Sequence, residues 1–263
     1  MRPVERAAVL VRTRDVGPAV ASLQTVADRS GVELVFDEEA FDKVDLAVVL
    51  GGDGTMLRAL SRFLDSDVAV LGVNFGSVGF LTSLAADHFE AGLERVFAGD
   101  YRTVELPTLQ ASYGGQVLLA VNDVVVTSGT VGRAIHLEQV VGGENLGVQS
   151  CDGIICATPP GSTAYNLSNG GPVLVWGLDA VVITFIAPHT LHARPLVIGP
   201  ETSAVVANRS PDIDAVVLVD GRRVQELRQG ESVTVHLGPL RSRLALLPEQ
   251  TFFSRYRQVF GIR

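Results

Sequence analysis

The chain has 263 residues, 47% apolar and 19% charged, with a formal net charge of −8. That length suits one large domain or two modest ones, and the acidic balance excludes nonspecific attraction to nucleic acid or to an anionic membrane surface. The opening Met1-Arg2-Pro3-Val4-Glu5 has no apolar h-region and no apolar run reaches about 18 residues, so neither a signal peptide nor a membrane helix is expected.

Residues 1 to about 100 alternate strand-like and helix-like segments. The apolar run Ala7 to Val11 reads as a strand, and Val16 to Arg29 has helical spacing at Val20, Leu23, Val26 and Ala27, stopped by Gly31. Val32 to Phe36, Leu46 to Leu50 and Val68 to Val73 supply three more strands. A helix is predicted from Met56 to Leu64, and another from Asp87 to Ala98 with Phe89, Leu93, Val96 and Phe97 on one face. Such alternation in units of about 20–30 residues predicts a parallel sheet covered on both faces, a Rossmann-like α/β domain.

After Asp100 the texture changes to short β-rich runs separated by Gly, Asn, Asp and Pro. They include Leu118 to Val121, Val124 to Thr127, Gly153 to Ala157, Val181 to Ile186, Ala215 to Val219 and Ser232 to His236. Residues 101–240 therefore read as an all-β, sandwich-like domain. The tail from Pro248 carries Phe252, Phe253, Tyr256, Val259 and Phe260, the pattern of a docked helix.

The segment that points hardest to chemistry is Gly51-Gly52-Asp53-Gly54-Thr55, between a predicted strand and a predicted helix. Glycines let backbone approach a ligand closely, and the N–H groups of a helix's first turn suit phosphate oxygens. An acid there would repel phosphate, unless Asp53 takes a proton from a hydroxyl that attacks it. These residues predict a phosphotransferase, and no Gly-x-x-x-x-Gly-Lys-Ser/Thr occurs that would make it a P-loop enzyme. Arg58, just after the turn, is a candidate phosphate cation, whereas Arg133 alone reads as surface charge.

A second glycine-rich loop, Gly72 to Thr82, follows another strand, where open α/β sheets bind ligands. Its Phe80 suits either stacking on a base or core packing. Thr158 to Pro172 is the longest polar, glycine-rich stretch, and too long to be only a connection. Its hydroxyls at Ser162, Thr163, Tyr165 and Ser168 would hydrogen-bond a sugar or an amide. Asn122-Asp123 and Asp220-Gly221 read locally as turns. Cys151 and Cys156, with five histidines in no matching spacing, read as core-filling thiols in a reducing cytoplasm and not as a zinc site.

In order along the chain, the turn at 51–55, the loop Asn74 to Thr82, Asn122-Asp123, Asp152-Gly153, Thr158 to Pro172, His189 to Leu196 and Asp220-Gly221 resemble the motifs of the NAD kinase family. The Gly-Gly-Asp-Gly-Thr turn is shared with diacylglycerol and sphingosine kinases and phosphofructokinases. The core Thr158-Pro159-Pro160-Gly161-Ser162-Thr163-Ala164-Tyr165, joined to Gly170-Gly171-Pro172, is far more specific.

The resemblance implies a Rossmann-like domain over 1–100, completed by 241–263, and a β-sandwich NAD-binding domain over 101–240. It implies magnesium-dependent phosphorylation of the adenosine-ribose 2′-hydroxyl of NAD by ATP or polyphosphate, in a cytoplasmic homodimer or homotetramer. Asp53 matches the proton acceptor and Gly54 its turn. Asn122 and Asp123 match a pair that holds NAD. Asp152, Thr163, Ala164, Tyr165, Asn166, Leu167, Ser168 and Ala187 match further NAD-binding positions, Phe80 one against the adenine, and Arg58 and Arg133 nucleotide-side cations. Asp123 stands where many members have Glu, Pro160 where Thr or Ser is usual, and Arg222 where Gln is frequent. No carboxylate cluster reads as a protein-built metal cage. The alternatives are a lipid kinase sharing the Asp53 turn and a noncatalytic NAD-binding sensor.

Overall fold

The structure is a computed structural model describing residues 1–11, 17–75, 79–86 and 89–261. The chain divides into two compact units, one formed by Met1–Glu105 with Ser242–Arg263 and the other by Leu106–Arg241.

The first unit runs β1 (Arg6–Val11), α1 (Gly17–Ser30), β2 (Glu33–Val35), a 3-10 turn (Glu38–Lys43), β3 (Leu46–Leu50), α2 (Asp53–Arg62), β4 (Ala69–Asn74), β5 (Leu84–Ala85) and α3 (Phe89–Phe97). Its sheet is parallel, in the order β2-β1-β3-β4, with Val9 opposite Val48 and Leu50 opposite Val73. All five residues of β3 are buried, as a strand covered on both faces requires. Alternation sends Val9, Val48, Leu50, Leu71 and Val73 to the face covered by Leu23 and Val26 of α1 and Leu93 and Val96 of α3. On the other face a Cβ at Gly72 would stand 2.6 Å from Met56 Sδ, so glycine there lets α2 pack directly on β4.

The helix predicted from Met56 begins three residues earlier, at Asp53. Gly52 is its N-cap, in extended conformation, and the Gly52 carbonyl accepts the amides of Thr55 and Met56. The helix predicted over 87–98 spans Phe89–Phe97, and its first two expected residues lie outside the described ones.

The second unit holds β6 (Arg102–Tyr113), β7 (Gln116–Ala120), β8 (Asp123–Ser128), β9 (Ile135–Val141), β10 (Glu144–Cys151) and β11 (Gly153–Ala157), then a 3-10 turn (Gly161–Thr163) and the single turn α4 (Tyr165–Ser168). It continues with β12 (Val181–Ile186), β13 (Leu196–Ile198), β14 (Ala204–Asn208), β15 (Ala215–Val219), β16 (Arg222–Leu227) and β17 (Ser232–Leu246). The first residues of β6 and the last of β17 belong to the first unit, where Leu244 pairs in parallel with Val70 of β4.

One antiparallel sheet has the order β13-β12-β11-β8-β15-β16; β10, β9, β14 and β17 form another run of neighbours. Val124, Val126, Ile154, Cys156 and Val217 of the first interleave with Ile135, Leu137, Val206 and Val233 of the second in one core, a β-sandwich. Cys151 and Cys156 are buried free thiols, both pushed up to about 12 by burial and so inert.

The chain ends on α5 (Phe252–Val259), part of the first unit. Thr251 Oγ1 accepts the Ser254 amide while Ser254 Oγ accepts the Thr251 amide, a closed capping box.

Candidate functional site

In the first unit Asp53 occupies the first position of α2, half-buried, at the carboxyl end of β3. Both of its carboxylate oxygens accept backbone amides from the next glycine-rich loop: Oδ2 from Phe80 at 2.9 Å and Oδ1 from Leu81 at 3.1 Å. Gly79 makes that approach feasible, since a Cβ there would lie 2.2 Å from Asp53 Oδ1. Gly51 plays the same part on the other side, where a Cβ would meet Thr55 Oγ1 at 2.8 Å. Gly54 and, one turn on, Arg58 are exposed on α2. Phe80 is buried, with its ring stacked on Phe252 at 6.1 Å and tilted against Phe260 at 5.8 Å. Gly76 of the same loop lies outside the described residues.

In the second unit the candidate residues fall at two opposite ends of the six-stranded sheet. Asn122 and Asp123 open β8, which pairs with β11 so that Asp123 faces Ala157, the last residue before the Thr158 loop. Asp220, at the turn after β15, reaches under them. Its Oδ1 accepts the amides of Asn122 at 2.7 Å and Asp123 at 3.2 Å, and its Oδ2 that of Val121 at 2.9 Å. Asp220 sits at φ +48°, a conformation uncommon outside glycine. Burial and the nearby Asp220 push the Asp123 carboxyl up to about 7. Burial also raises Asp220, against the pull of its three amides and of Arg222, which is exposed at the start of β16. Asn122 Oδ1 is buried with no hydrogen-bond partner among the described residues. A buried acceptor of this kind needs a reason, and a ligand donor is one.

The loop after β11 is moulded onto this pair. Thr158 Oγ1 donates to the Val121 carbonyl at 2.7 Å and accepts the Gly161 amide at 3.0 Å. A Cβ at Gly161 would lie 2.0 Å from the Asn122 carbonyl oxygen. Ser162, expected to offer its hydroxyl to a ligand, is instead fully buried: it donates to the Pro159 carbonyl at 2.6 Å and accepts the Leu174 amide at 2.9 Å. Asn166 is equally buried, its amide nitrogen held by the carbonyls of Ser162 and Pro172 and its oxygen by the Thr184 hydroxyl. It shapes the loop from within. Thr163, Ala164 and Leu167 are half-buried, and Tyr165 and Ser168 are exposed.

Asp152, Ala187 and Arg133 stand at the other end. Asp152 precedes β11, its carbonyl accepting the Ser128 amide and the Thr127 hydroxyl while its side chain is exposed. Ala187 follows β12 and takes φ +41°, which with Asp220 completes the pair of described non-glycine residues at positive φ. Strain of this kind concentrates at functional sites. Arg133 is exposed in the turn after β8. The five residues of β11 lie between the two groups, which puts Asp152 about 20 Å from Thr158 at the usual rise per strand residue.

Sequence reading missed Gln250 and Arg255, which act on the Asp53 loop from the C-terminal segment. The Ser83 carbonyl accepts from both, and Arg255 also donates to the Thr82 carbonyl. The only signal was the aromatic pattern of the tail, which announced docking but not what it docks on.

Residues 11–101 match the ATP-NAD kinase N-terminal domain, and residues 121–246 match the ATP-NAD kinase C-terminal domain. The chain belongs to the NAD kinase family. An NAD kinase of Heliobacterium modesticaldum is 42% identical over 82% of this chain and 78% of its own. One of Symbiobacterium thermophilum is 38% identical over 95% and 91%. The crystal structure of an NAD kinase from Archaeoglobus fulgidus in complex with ATP superposes with a TM-score of 0.80 at 29% identity, covering 97% of both chains. Yeast NADH kinase complexed with NADH shares the fold, with a TM-score of 0.84 at 21% identity, covering 100% of this chain and 89% of the other. Membership of the NAD kinase family makes this chain a phosphotransferase, and gives the lipid-kinase and sensor alternatives no support. The NAD kinase reaction needs a divalent metal. Among the described residues, however, no group of three or more His, Cys, Asp or Glu side chains stands ready to hold one. No described helix is long and apolar enough to cross a membrane.

Proposed function

We propose that the chain transfers the terminal phosphate of ATP to the 2′-hydroxyl of the adenosine ribose of NAD, giving NADP, with Asp53 as proton acceptor. The observation that carries this reading is the Asp53 carboxylate, fixed by two amides in the first turn of α2. The 2′-oxygen attacks the γ-phosphorus, the bond to the β-phosphate oxygen breaks, ADP leaves, and the hydroxyl proton passes to Asp53. Each carboxylate oxygen uses one lone pair on its amide and keeps another for that proton. The transition state of phosphoryl transfer is loose, so holding the acceptor in line matters more than base strength. The N-terminus of α2 favours the anionic donor. A divalent ion, when bound, supplies charge neutralisation on the donor phosphates; the described side chains offer no cage, so it would come with the nucleotide.

NAD would meet the orphan Asn122 Oδ1, Asp123 and the exposed rim of the Thr163–Ser168 turn. Asp152, Ala187 and Arg133 belong to the same reading but stand at the opposite end of the sheet, which supports a site completed by a second copy in a homodimer or homotetramer. Two buried free thiols fit a reducing, cytoplasmic setting. The test is NADP formation by the purified protein with magnesium, ATP or polyphosphate, and NAD or diacylglycerol as acceptor. NADP from NAD is expected. Phosphorylation of diacylglycerol, or binding of NAD without product, would overturn the reading.

A further inference from the structure

The C-terminal segment touches the loop that holds Asp53 at Phe80, Thr82 and Ser83. Phe252 and Phe260 pack on the Phe80 ring, and Ser83 Oγ donates to the Ala245 carbonyl at 2.7 Å. Gln250 donates to the Ser83 carbonyl. Arg255, on α5, donates to the Thr82 carbonyl and more weakly to that of Ser83 at 3.4 Å. Its other guanidinium nitrogen donates to Gln258 at 3.1 Å. Two residues before these carbonyls come the Phe80 and Leu81 amides that hold the two oxygens of Asp53.

Arg255 is out of the ordinary for a structural clamp. It is half-buried, and among the described residues no carboxylate stands within 4.0 Å of it. Burial lowers its pKa from the ordinary value, and the charge that opposes this is that of Asp53. One nitrogen of the planar guanidinium holds the two carbonyls while the other holds Gln258, a span that the single nitrogen of an ammonium lacks. The side chain also lines a cavity of about 610 Å³ with Thr82, Ser83, Leu84, Gln250 and Gln258, wide enough to admit a small cation. Arg255 lies beyond residue 246, the last one matched by either family domain.

We propose that Arg255 is a positioning residue for the phosphoryl transfer: it fixes the carbonyls of residues 82–83 and, through the amides of residues 80–81, the orientation of the Asp53 carboxylate. This rests on the reading of Asp53 as proton acceptor.

The experiment compares Arg255→Ala, Arg255→Lys, Asp53→Asn and the Arg255→Ala/Asp53→Asn double variant in NADP formation, with thermal melting as the control for folding. Arg255→Ala is expected to lose about 10–100-fold in kcat, the size of effect an ångström of misplacement has. KM for NAD and ATP should stay within about twofold, because binding is not what it supports. Millimolar guanidinium should restore part of that loss through the cavity. In the Asp53→Asn background, Arg255→Ala should add nothing and guanidinium should restore nothing, since the group being positioned is gone. If the alanine variant does not fold, Arg255→Lys carries the test, with an expected loss of about tenfold. Full turnover in folded Arg255→Ala or Arg255→Lys, or losses that multiply in the double variant, would overturn the inference while leaving Asp53 as base. Wild-type turnover in Asp53→Asn would overturn the base reading and this route with it.

Discussion

Asp220 holds Asn122 by its backbone: one carboxylate oxygen accepts the Asn122 amide at 2.7 Å and that of Asp123 beside it. The segment is thus pinned from below by an acid after β15 and from above by the Thr158 hydroxyl after β11. With its backbone fixed on both sides, the Asn122 side chain keeps a buried oxygen that has no hydrogen-bond partner among the described residues. Three turns, distant in sequence, converge there.

The most direct prediction concerns Asp53. Asp53→Asn keeps shape and removes the proton acceptor, so NAD binding should stay nearly intact while turnover falls by about 10²–10⁴. Calorimetry for NAD and a coupled NADP assay report the two quantities; unchanged turnover removes Asp53 from the base role.

Asp123 predicts a pH effect on stability. Its folded pKa, about 7, lies above the ordinary 3.8, so the folded state binds the proton more tightly than the unfolded one. That contribution is fully present below about pH 4 and is lost as pH rises through 7. Asp123→Asn cannot ionise. Its stability relative to the wild type should therefore rise between pH 5 and 8, by at least about 1.4 kcal/mol, the worth of one pKa unit. Denaturant titrations across that range measure it, and a flat difference counts against the buried carboxyl.

Gly161→Ala should strike NAD affinity. The added Cβ would run into the Asn122 carbonyl, so the loop must lift from the pair it covers. A KM for NAD raised about tenfold or more is expected, with a smaller change for ATP. Equal effects on both nucleotides would argue for general loosening.

Asn166→Ala removes a fully buried amide that holds two carbonyls and one hydroxyl. Leaving these groups unpaired should cost about 2–4 kcal/mol of stability. The melting temperature reports this directly, and a loss of NAD binding without destabilisation would instead make Asn166 a ligand contact.

Removing metal should separate activity from stability. Because the described side chains form no cage, EDTA should abolish NADP formation while leaving the melting temperature unchanged, and magnesium should restore activity. A melting point lowered by EDTA would reveal a resident ion.

Much of this fold was legible because its central strands are uniformly apolar. Leu46–Leu50 and Gly153–Ala157 are buried at all five positions and announce themselves. β10 did not, because Glu144–Cys151 is an edge strand whose Leu146 and Val148 are exposed among polar neighbours. Nor did the early start of α2, since glycines in a strand-to-helix turn read as loop until the Gly52 carbonyl is seen to cap the helix. At the site, the residue types pointed to the segments but not to the division of labour within them. Ser162 and Asn166 look like ligand-binding polar residues in a glycine-rich stretch. Only burial shows that they face inward and shape the loop.

The first unit is interrupted in sequence: residues 1–105 open it and residues 242–263 close it, with the whole second unit in between. Synthesis runs from the N-terminus, so Asp53 leaves the ribosome before the second unit, and Arg255 and its helix leave after it. A nascent chain can fold its β-sandwich while the loop around Asp53 still lacks the segment that steadies it. On the positioning role proposed for Arg255, phosphate transfer waits on the segment after residue 250, and a chain clipped before it would keep the turn at 51–55 and the loop at 158–172 and still be a poor enzyme.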